Sequence, residues 1–296
     1  MNGELAGRAG RRIAKIRRTI ASRTATPYLV RRAAHAKGSL VDPTNPVVVS
    51  LTSHGDRLTT VHLTIESIAR GSARPARLIL WIDPHVDADS LPEPLQRQRA
   101  RGLEVLSSEA GFGPHTKYYP YVCSEESHVF PLVTADDDSI YPRSWLDKLQ
   151  FVARACPEQI ICYRAHRVGL TSDGAIAPYN SWKPVRSTAP SVLNFATGVS
   201  GVHYPAEFLS ELRADGQRFT ECAPRADDVW LHDRAVSHGW VIRQVFRWPR
   251  KYPEIASTQA VALHRSNTGQ SANDDQIKAT YRSDVVRTLV AAVGRG

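Results

Sequence analysis

The sequence predicts an α/β fold: a mostly parallel central sheet flanked by helices, in a single domain. Three observations predict it. Short aliphatic runs rich in Val, Ile and Leu recur between residues 47 and 162, stretches with apolar residues at helical spacing separate them, and several of the runs stop at clusters of polar side chains. Strand, helix, strand, helix, strand is the order of a parallel unit with crossover helices.

Each element can be justified in order. Pro43-Thr44-Asn45-Pro46 closes a leader, and "VVVSLTSHGDR" then reads as a buried first strand running into a loop at Gly55. "TTVHLTIESIARG" places Val61, Ile65 and Ile68 on one helix face and stops at Gly71, a suitable C-terminal residue. "ARLILWID" is a second strand ending at Asp83. Residues 91–101 read as a helix, "GLEVLSS" as a third strand and "HVFPLVTA" as a fourth. Pro142 opens the helix "RSWLDKLQFVARAC", and "QIICYRA" is a further strand. Beyond Gly169 turns multiply and the pattern weakens; there is no internal repeat and no low-complexity tract. At 296 residues with 42% hydrophobic side chains, the chain suffices for one large domain or two small ones.

The charge is unevenly placed. Lys and Arg number 38 against 29 Asp and Glu, but residues 1–40 carry ten of the basic residues against Glu4 alone, so the remainder is balanced. A basic nucleic-acid surface on the main body is thereby excluded, and no nucleic-acid partner is expected. In the leader, Ile13, Ile16 and Ile20 share one helical face and Arg11, Lys15 and Arg18 the opposite one. Two readings stand: a short basic amphipathic helix resting on an anionic membrane surface, or a solvated, partly disordered tail. With no apolar stretch long enough to span a bilayer and no signal-peptide core, a cytoplasmic protein is expected, peripheral on the inner face of the membrane under the first reading. Cys123, Cys156, Cys162 and Cys222 lack CxxC spacing and read as reduced and structural.

In a parallel sheet ligands bind beyond the carboxyl ends of the strands. Ser53-His54-Gly55-Asp56-Arg57, Asp83 and Asp136-Asp137-Asp138 all fall at such ends, so three polar clusters converge on one edge. Clustered carboxylates repel one another and lose hydration unless a cation sits among them, and a divalent ion with hard oxygen ligands answers that cost. In an extended segment side chains alternate, which sets Asp136 and Asp138 on one side and Asp137 on the other. The competing reading is a helix cap at Asp138 or Ser139 ahead of Pro142.

Taken together, "VVVSLTSHGDR", "ARLILWID", "TADDDSIYP", "TGVSGVHYP" and "ADDVW" resemble a GT-A glycosyltransferase of the family 2-like kind found in bacterial polysaccharide and glycolipid synthesis, over about Val47 to Gln276. The resemblance implies a GT-A (Rossmann-like) domain at residues 45–280 with nucleotide-side and acceptor-side halves, after a leader at 1–44 and before a C-terminal helix or tail at 281–296. It implies a nucleotide-sugar donor, a UDP- or GDP-sugar, a Mn²⁺ or Mg²⁺ ion on its diphosphate, and a glycan or lipid-linked acceptor. By position, Thr52, Ser53, Arg57 and Asp83 match the family's base and ribose contacts; Asp136 and Asp138 match its DxD pair, the first near the ribose and the last on the metal.

The residues add their own chemistry. A departing nucleoside diphosphate gains negative charge, which a divalent cation stabilises. Lys117 in "GFGPHTKYYP" either adds positive charge there or is a solvated surface lysine. Gly198 and Gly201 either let backbone approach the bound donor or shape a turn. Asp227 or Asp228 is a candidate general base for an inverting transfer, unresolved between the two, with the other capping the helix that follows. Trp230 reads as core or as a sugar platform, and His264 as a late metal ligand or an ordinary histidine. His54, His115, His166 and His203 are given no role. The alternatives to glycosyl transfer are nucleotidyl or phosphoryl transfer on the same acidic site, and a non-catalytic sugar-binding homologue.

Overall fold

The computed structural model describes residues 2–108, 111–255 and 272–294. A 34-residue helix, α1 (Asn2–His35), leads into β1 (Val48–Thr52), α2 (Val61–Ala69), β2 (Arg77–Ile82), α3 (Glu93–Arg99) and β3 (Leu103–Ser107). The short α4 (Tyr119–Ser124) precedes β4 (Leu132–Thr134), α5 (Trp145–Ala155) and β5 (Gln159–Cys162). Next come β6 (Ala165–Arg167), β7 (Lys183–Pro184), β8 (Asn194–Ala196) and β9 (Val202–Tyr204). The order closes with α6 (Ala206–Asp215), α7 (Phe219–Cys222), α8 (Asp227–Ser237), β10 (Val241–Gln244), α9 (Ala272–Thr280) and α10 (Ser283–Val293).

Seven strands form the main sheet in the order β10-β5-β9-β4-β1-β2-β3, and β7-β6-β8 form a smaller antiparallel one. All neighbours in the main sheet are parallel except β9, which runs antiparallel between β4 and β5. The mostly parallel α/β sheet expected from the sequence is therefore present. From β1 the chain winds outward through β2 to β3, then returns to place β4 on the other side of β1. Connections leave β1 and β4 in opposite directions, and the crevice this opens at their carboxyl ends is where such sheets bind ligands.

Strand alternation builds the core on both faces. Val47, Val49 and Leu51 join Leu78, Leu80 and Val133 on one face, and Val48 joins Ile79, Trp81, Leu132 and Val202 on the other. A third cluster, with Trp182, Phe195, Val229, Ile277, Tyr281 and Leu289, packs the small sheet against α8, α9 and α10.

The leader is longer than the short helix its isoleucines suggest, and its second half is docked. Ser22, Leu29 and Ala33 are buried, and Leu29 packs with Leu63 of α2, Ile140 and Ile255. Ser22 Oγ donates to the Glu254 carbonyl at 2.7 Å, and Arg32 meets the buried Glu66 at 3.2 Å. Ile13, Ile16 and Ile20, by contrast, are each more than half exposed.

Candidate active site

The three aspartates follow β4 after a single residue, Ala135. At Asp137-Asp138 the chain turns, so the two-residue alternation of a strand no longer governs the side chains. The expected pairing of Asp136 with Asp138 is accordingly replaced by another. Asp137 is buried and accepts from Ser53 Oγ at 2.7 Å. Arg57 then bridges the last two, with Nη1 3.0 Å from Asp137 Oδ1 and Nη2 2.6 Å from Asp138 Oδ2. Neither Asp138 nor Ser139 caps α5, which starts beyond them after Ser144. From α2, Thr64 Oγ1 lies 3.0 Å from the carbonyls of both Asp137 and Ser139, and Ser67 Oγ accepts from the Tyr141 amide at 2.9 Å. These bonds explain why a helix that is buried along its whole length carries hydroxyls.

Asp136 stands apart from that cluster. Its amide donates to the Tyr141 hydroxyl at 2.8 Å, and its Oδ2 accepts from the Ser200 amide at 3.2 Å. Burial pushes its pKa up to about 6, against the pull of Lys117 and with the help of Asp138. Ser200 has φ 77°, a conformation that a non-glycine side chain holds only at a cost of about 1 kcal/mol or more. Its carbonyl accepts from Trp145 Nε1 at 2.8 Å and its hydroxyl donates to the Arg250 carbonyl at 3.0 Å, so two long-range bonds fix the strained turn that aims an N–H at Asp136.

Lys117 ends a short 3₁₀ turn, Gly113–Lys117, whose last carbonyl accepts from Ser50 Oγ at 2.7 Å; Trp81 Nε1 in turn donates to that hydroxyl at 2.9 Å. β1 and β2 thereby hold the lysine backbone. Its ammonium is mostly buried and 2.7 Å from Asp227 Oδ2. Burial works against that charge, but Asp227 and Asp136 outweigh it and raise the lysine pKa. The solvated-lysine reading is set aside by this placement. Asp227 and Asp228 occupy the first turn of α8, and the N-cap is Ala226, so neither aspartate is the cap. Asp227 is committed to Lys117, whereas half-buried Asp228 is pushed up to about 7 by burial and by Asp227, with Lys117 opposing.

The two glycines differ. A Cβ on Gly198 would lie 3.0 Å from Lys117 Nζ and 3.8 Å from Asp227 Oδ2, so this residue borders the ion pair. A Cβ on Gly201 would strike the Trp145 indole at 2.8 Å, and its φ of 101° already requires glycine, so Gly201 serves packing. Thr52 spends its hydroxyl on the Trp81 carbonyl at 3.2 Å, and Asp83 is exposed beyond β2. Trp230 is core, beside Phe219 and under the Arg234 guanidinium. His115 is buried between the Tyr118 hydroxyl at 2.8 Å and the Ala223 carbonyl at 2.7 Å. His264 lies outside the described residues.

Sequence reasoning missed Tyr141, Ser200 and Arg164. Tyr141 closes the quoted acidic motif and was visible there. Ser200 lies in the quoted "TGVSGVHYP", but nothing in a serine announces a left-handed backbone. Arg164 follows the end of β5 by two residues, and its Nη1 lies 3.2 Å from Thr197 Oγ1.

No protein-family model and no curated protein matches this chain. Among solved structures the chain is similar to S. aureus TarS residues 1–349, at 14% identity and TM-score 0.47 over 79% of this chain and 70% of that one. It is also similar to the mannosyltransferase PcManGT from Pyrobaculum calidifontis in complex with GDP-Man and Mn²⁺, at 16% identity and TM-score 0.45 over 95% of this chain and 85% of that one. At those values the likeness is one of chain course, and the chemistry of the site is read from its own residues.

Proposed function

We propose that this chain is a GT-A glycosyltransferase that moves a sugar from a nucleotide-diphosphate donor to a hydroxyl of a glycan or lipid-linked acceptor, with inversion. The observation that carries the reading is the row at the carboxyl edge of the sheet: the Lys117–Asp227 ion pair standing with two carboxylates of raised pKa, Asp136 at about 6 and Asp228 at about 7. A carboxylate that binds a proton near neutrality suits the removal of a hydroxyl proton during attack, which assigns Asp228 as general base. Asp227 keeps Lys117 charged and fixed, ready to face the negative charge that develops on a departing diphosphate. Arg57, Ser53 and Thr64 hold the aspartate loop rigid. Attack assisted by a carboxylate on the face opposite the leaving group inverts the anomeric centre.

The donor set suits a hard cation. All the acidic ligands are oxygens, and among the described residues no group of three Asp, Glu, His or Cys is gathered for one, so the ion would share its shell with the substrate. Asp136, its pKa raised by burial and by the carboxylates of Asp138 and Asp137, is the first candidate; Asp138 would have to share its oxygen with Arg57. A bound Mn²⁺ or Mg²⁺ would supply Lewis-acid stabilisation of the leaving diphosphate.

The test is a thermal-shift screen of sugar nucleotides with and without Mn²⁺, followed by product analysis. The expected result is stabilisation by one nucleotide-sugar class and release of nucleoside diphosphate with an inverted product by NMR. A retained configuration removes Asp228 as base; release of pyrophosphate or inorganic phosphate in place of nucleoside diphosphate removes glycosyl transfer. We also propose that the exposed face of α1 rests on an anionic membrane surface on the cytoplasmic side; no helix among the described residues is long and apolar enough to cross a bilayer.

A further inference from the structure

We infer that Arg164 recognises an oxyanion, phosphate or carboxylate, that the substrate carries into the carboxyl edge of the sheet. This rests on the glycosyl-transfer reading and extends it to the chemistry of what is bound.

Two cations of this edge are neutralised by its aspartates, and Arg164 is not. Arg57 is held by Asp137 and Asp138, and Lys117 by Asp227. Arg164 forms no ion pair with a carboxylate among the described residues, although it is only partly exposed. A guanidinium withdrawn from water without a counter-ion is costly, and a ligand anion removes that cost.

The surroundings prepare it for this task. Nη1 lies 3.2 Å from Thr197 Oγ1 and Nη2 lies 3.1 Å from His166 Nε2. An arginine N–H only donates, so His166 Nε2 accepts and the imidazole is neutral with its proton on Nδ1. Burial, together with Arg164 itself, lowers the His166 pKa to about 4, so the ring stays neutral over the working range and orients the guanidinium without competing for the anion. Two of the five N–H donors of the fork are thus engaged by the chain, and the planar group is fixed for bidentate recognition.

Position ties the residue to the proposed chemistry. Arg164 lies two residues past β5, at the edge where Ser53 follows β1 and Asp136 follows β4. Its partner Thr197 adjoins Gly198, the residue whose missing Cβ leaves room for Lys117 Nζ and Asp227. The Tyr179 hydroxyl is pushed up to about 12 by burial and Asp228 and pulled down by Arg164, so Arg164 and the proposed base act on one side chain.

The experiment is thermal denaturation of the full chain in rising inorganic phosphate, for the wild type, Arg164→Gln and Arg164→Lys. Each variant's melting temperature without phosphate reports whether it folds. Phosphate is expected to stabilise the wild type, and Arg164→Gln to need about tenfold more phosphate or beyond for the same shift, with Arg164→Lys between them. Equal shifts in the wild type and Arg164→Gln, or no shift in the wild type at tens of millimolar, overturn the inference. Repeating the titration in saturating GDP and in saturating UDP identifies the source: a phosphate effect that disappears assigns the oxyanion to the donor diphosphate, and one that persists assigns it to the acceptor. Absence of sugar-nucleotide turnover with an intact Arg164-dependent shift would reject the enzymatic reading alone; turnover without that shift would reject this inference alone.

Discussion

Adjacent aspartates at the start of α8 have the same chemistry in the sequence and different surroundings in the fold. Asp227 has an ammonium at 2.7 Å; Asp228 has burial and a like charge beside it, and titrates near 7. Two outcomes follow for Asp228→Asn. Sugar transfer should fall by about 10²–10⁴-fold while donor binding is retained, as kinetics and calorimetry would show. Stability should move the other way. A carboxyl whose folded pKa lies above its ordinary value binds its proton more tightly in the folded state, so the wild type loses stability as pH rises from the ordinary carboxylate range to about 7. Asparagine does not titrate, so the variant's melting temperature should exceed the wild type's at pH 8, with the gap closing toward pH 4. A variant that lost activity and melted lower at both pH values would mark Asp228 as merely structural. The two glycines separate in the same manner. Gly201→Ala meets both a positive φ and the Trp145 ring, at a cost of roughly 2–4 kcal/mol in a denaturant titration. Gly198→Ala presses on the Lys117 ammonium and should weaken donor binding with little change in melting temperature.

Helix α1 has two different faces, one docked on the body and one in solvent. Its docked face ends in a buried ionic cluster: Glu66 of α2, fully buried, is met by Arg32, Arg101 and Gln98. Replacing Glu66 by Leu leaves Arg101 buried without a counter-ion, and about 3–5 kcal/mol of stability should be lost in equilibrium unfolding. On the opposite face Ile13, Ile16 and Ile20 stand in solvent among the basic residues of the leader. Changing the three to Ser should abolish co-sedimentation with phosphatidylglycerol-containing vesicles and leave the melting temperature unaltered, since none of them packs on the body. Retained vesicle binding in that variant would remove α1 as the membrane contact. The isoleucine face was readable because 3.6-residue spacing reveals it in the sequence alone. The docked face was not: Ser22, Leu29 and Ala33 form no apolar stripe of their own, and what buries them is Glu254, Ile255 and α2, distant in sequence.

Across the whole molecule, legibility follows how local the physics is. β1 to β5 and their helices announce themselves by aliphatic runs and helical spacing, and the polar ends of those strands do meet at one edge. β9 does not: three residues inserted antiparallel between β4 and β5 take their identity from pairing partners remote in sequence. The charge pattern of the edge was half readable. The acidic residues are conspicuous, but which of them are neutralised depends on Arg57 and Lys117 arriving from turns elsewhere in the chain. Asp136, Asp137, Asp138, Asp227 and Asp228 outnumber the two cations that pair among them, Arg57 and Lys117, and adding nearby Arg164 still leaves two more acidic than basic groups. A nucleoside diphosphate alone adds negative charge to that excess, and a divalent ion alone finds few protein oxygens free of cations. The two should therefore bind with positive coupling, each making the site favourable for the other. In thermal denaturation, Mn²⁺ and GDP or UDP together should raise the melting temperature by more than the sum of their separate shifts. Asp136→Asn should reduce the combined shift to that sum, because Asp136 is the carboxylate of the loop that Arg57 does not hold. Strict additivity in the wild type would show that the excess charge is met without a metal-bound diphosphate, and would leave the cation with no place in this site.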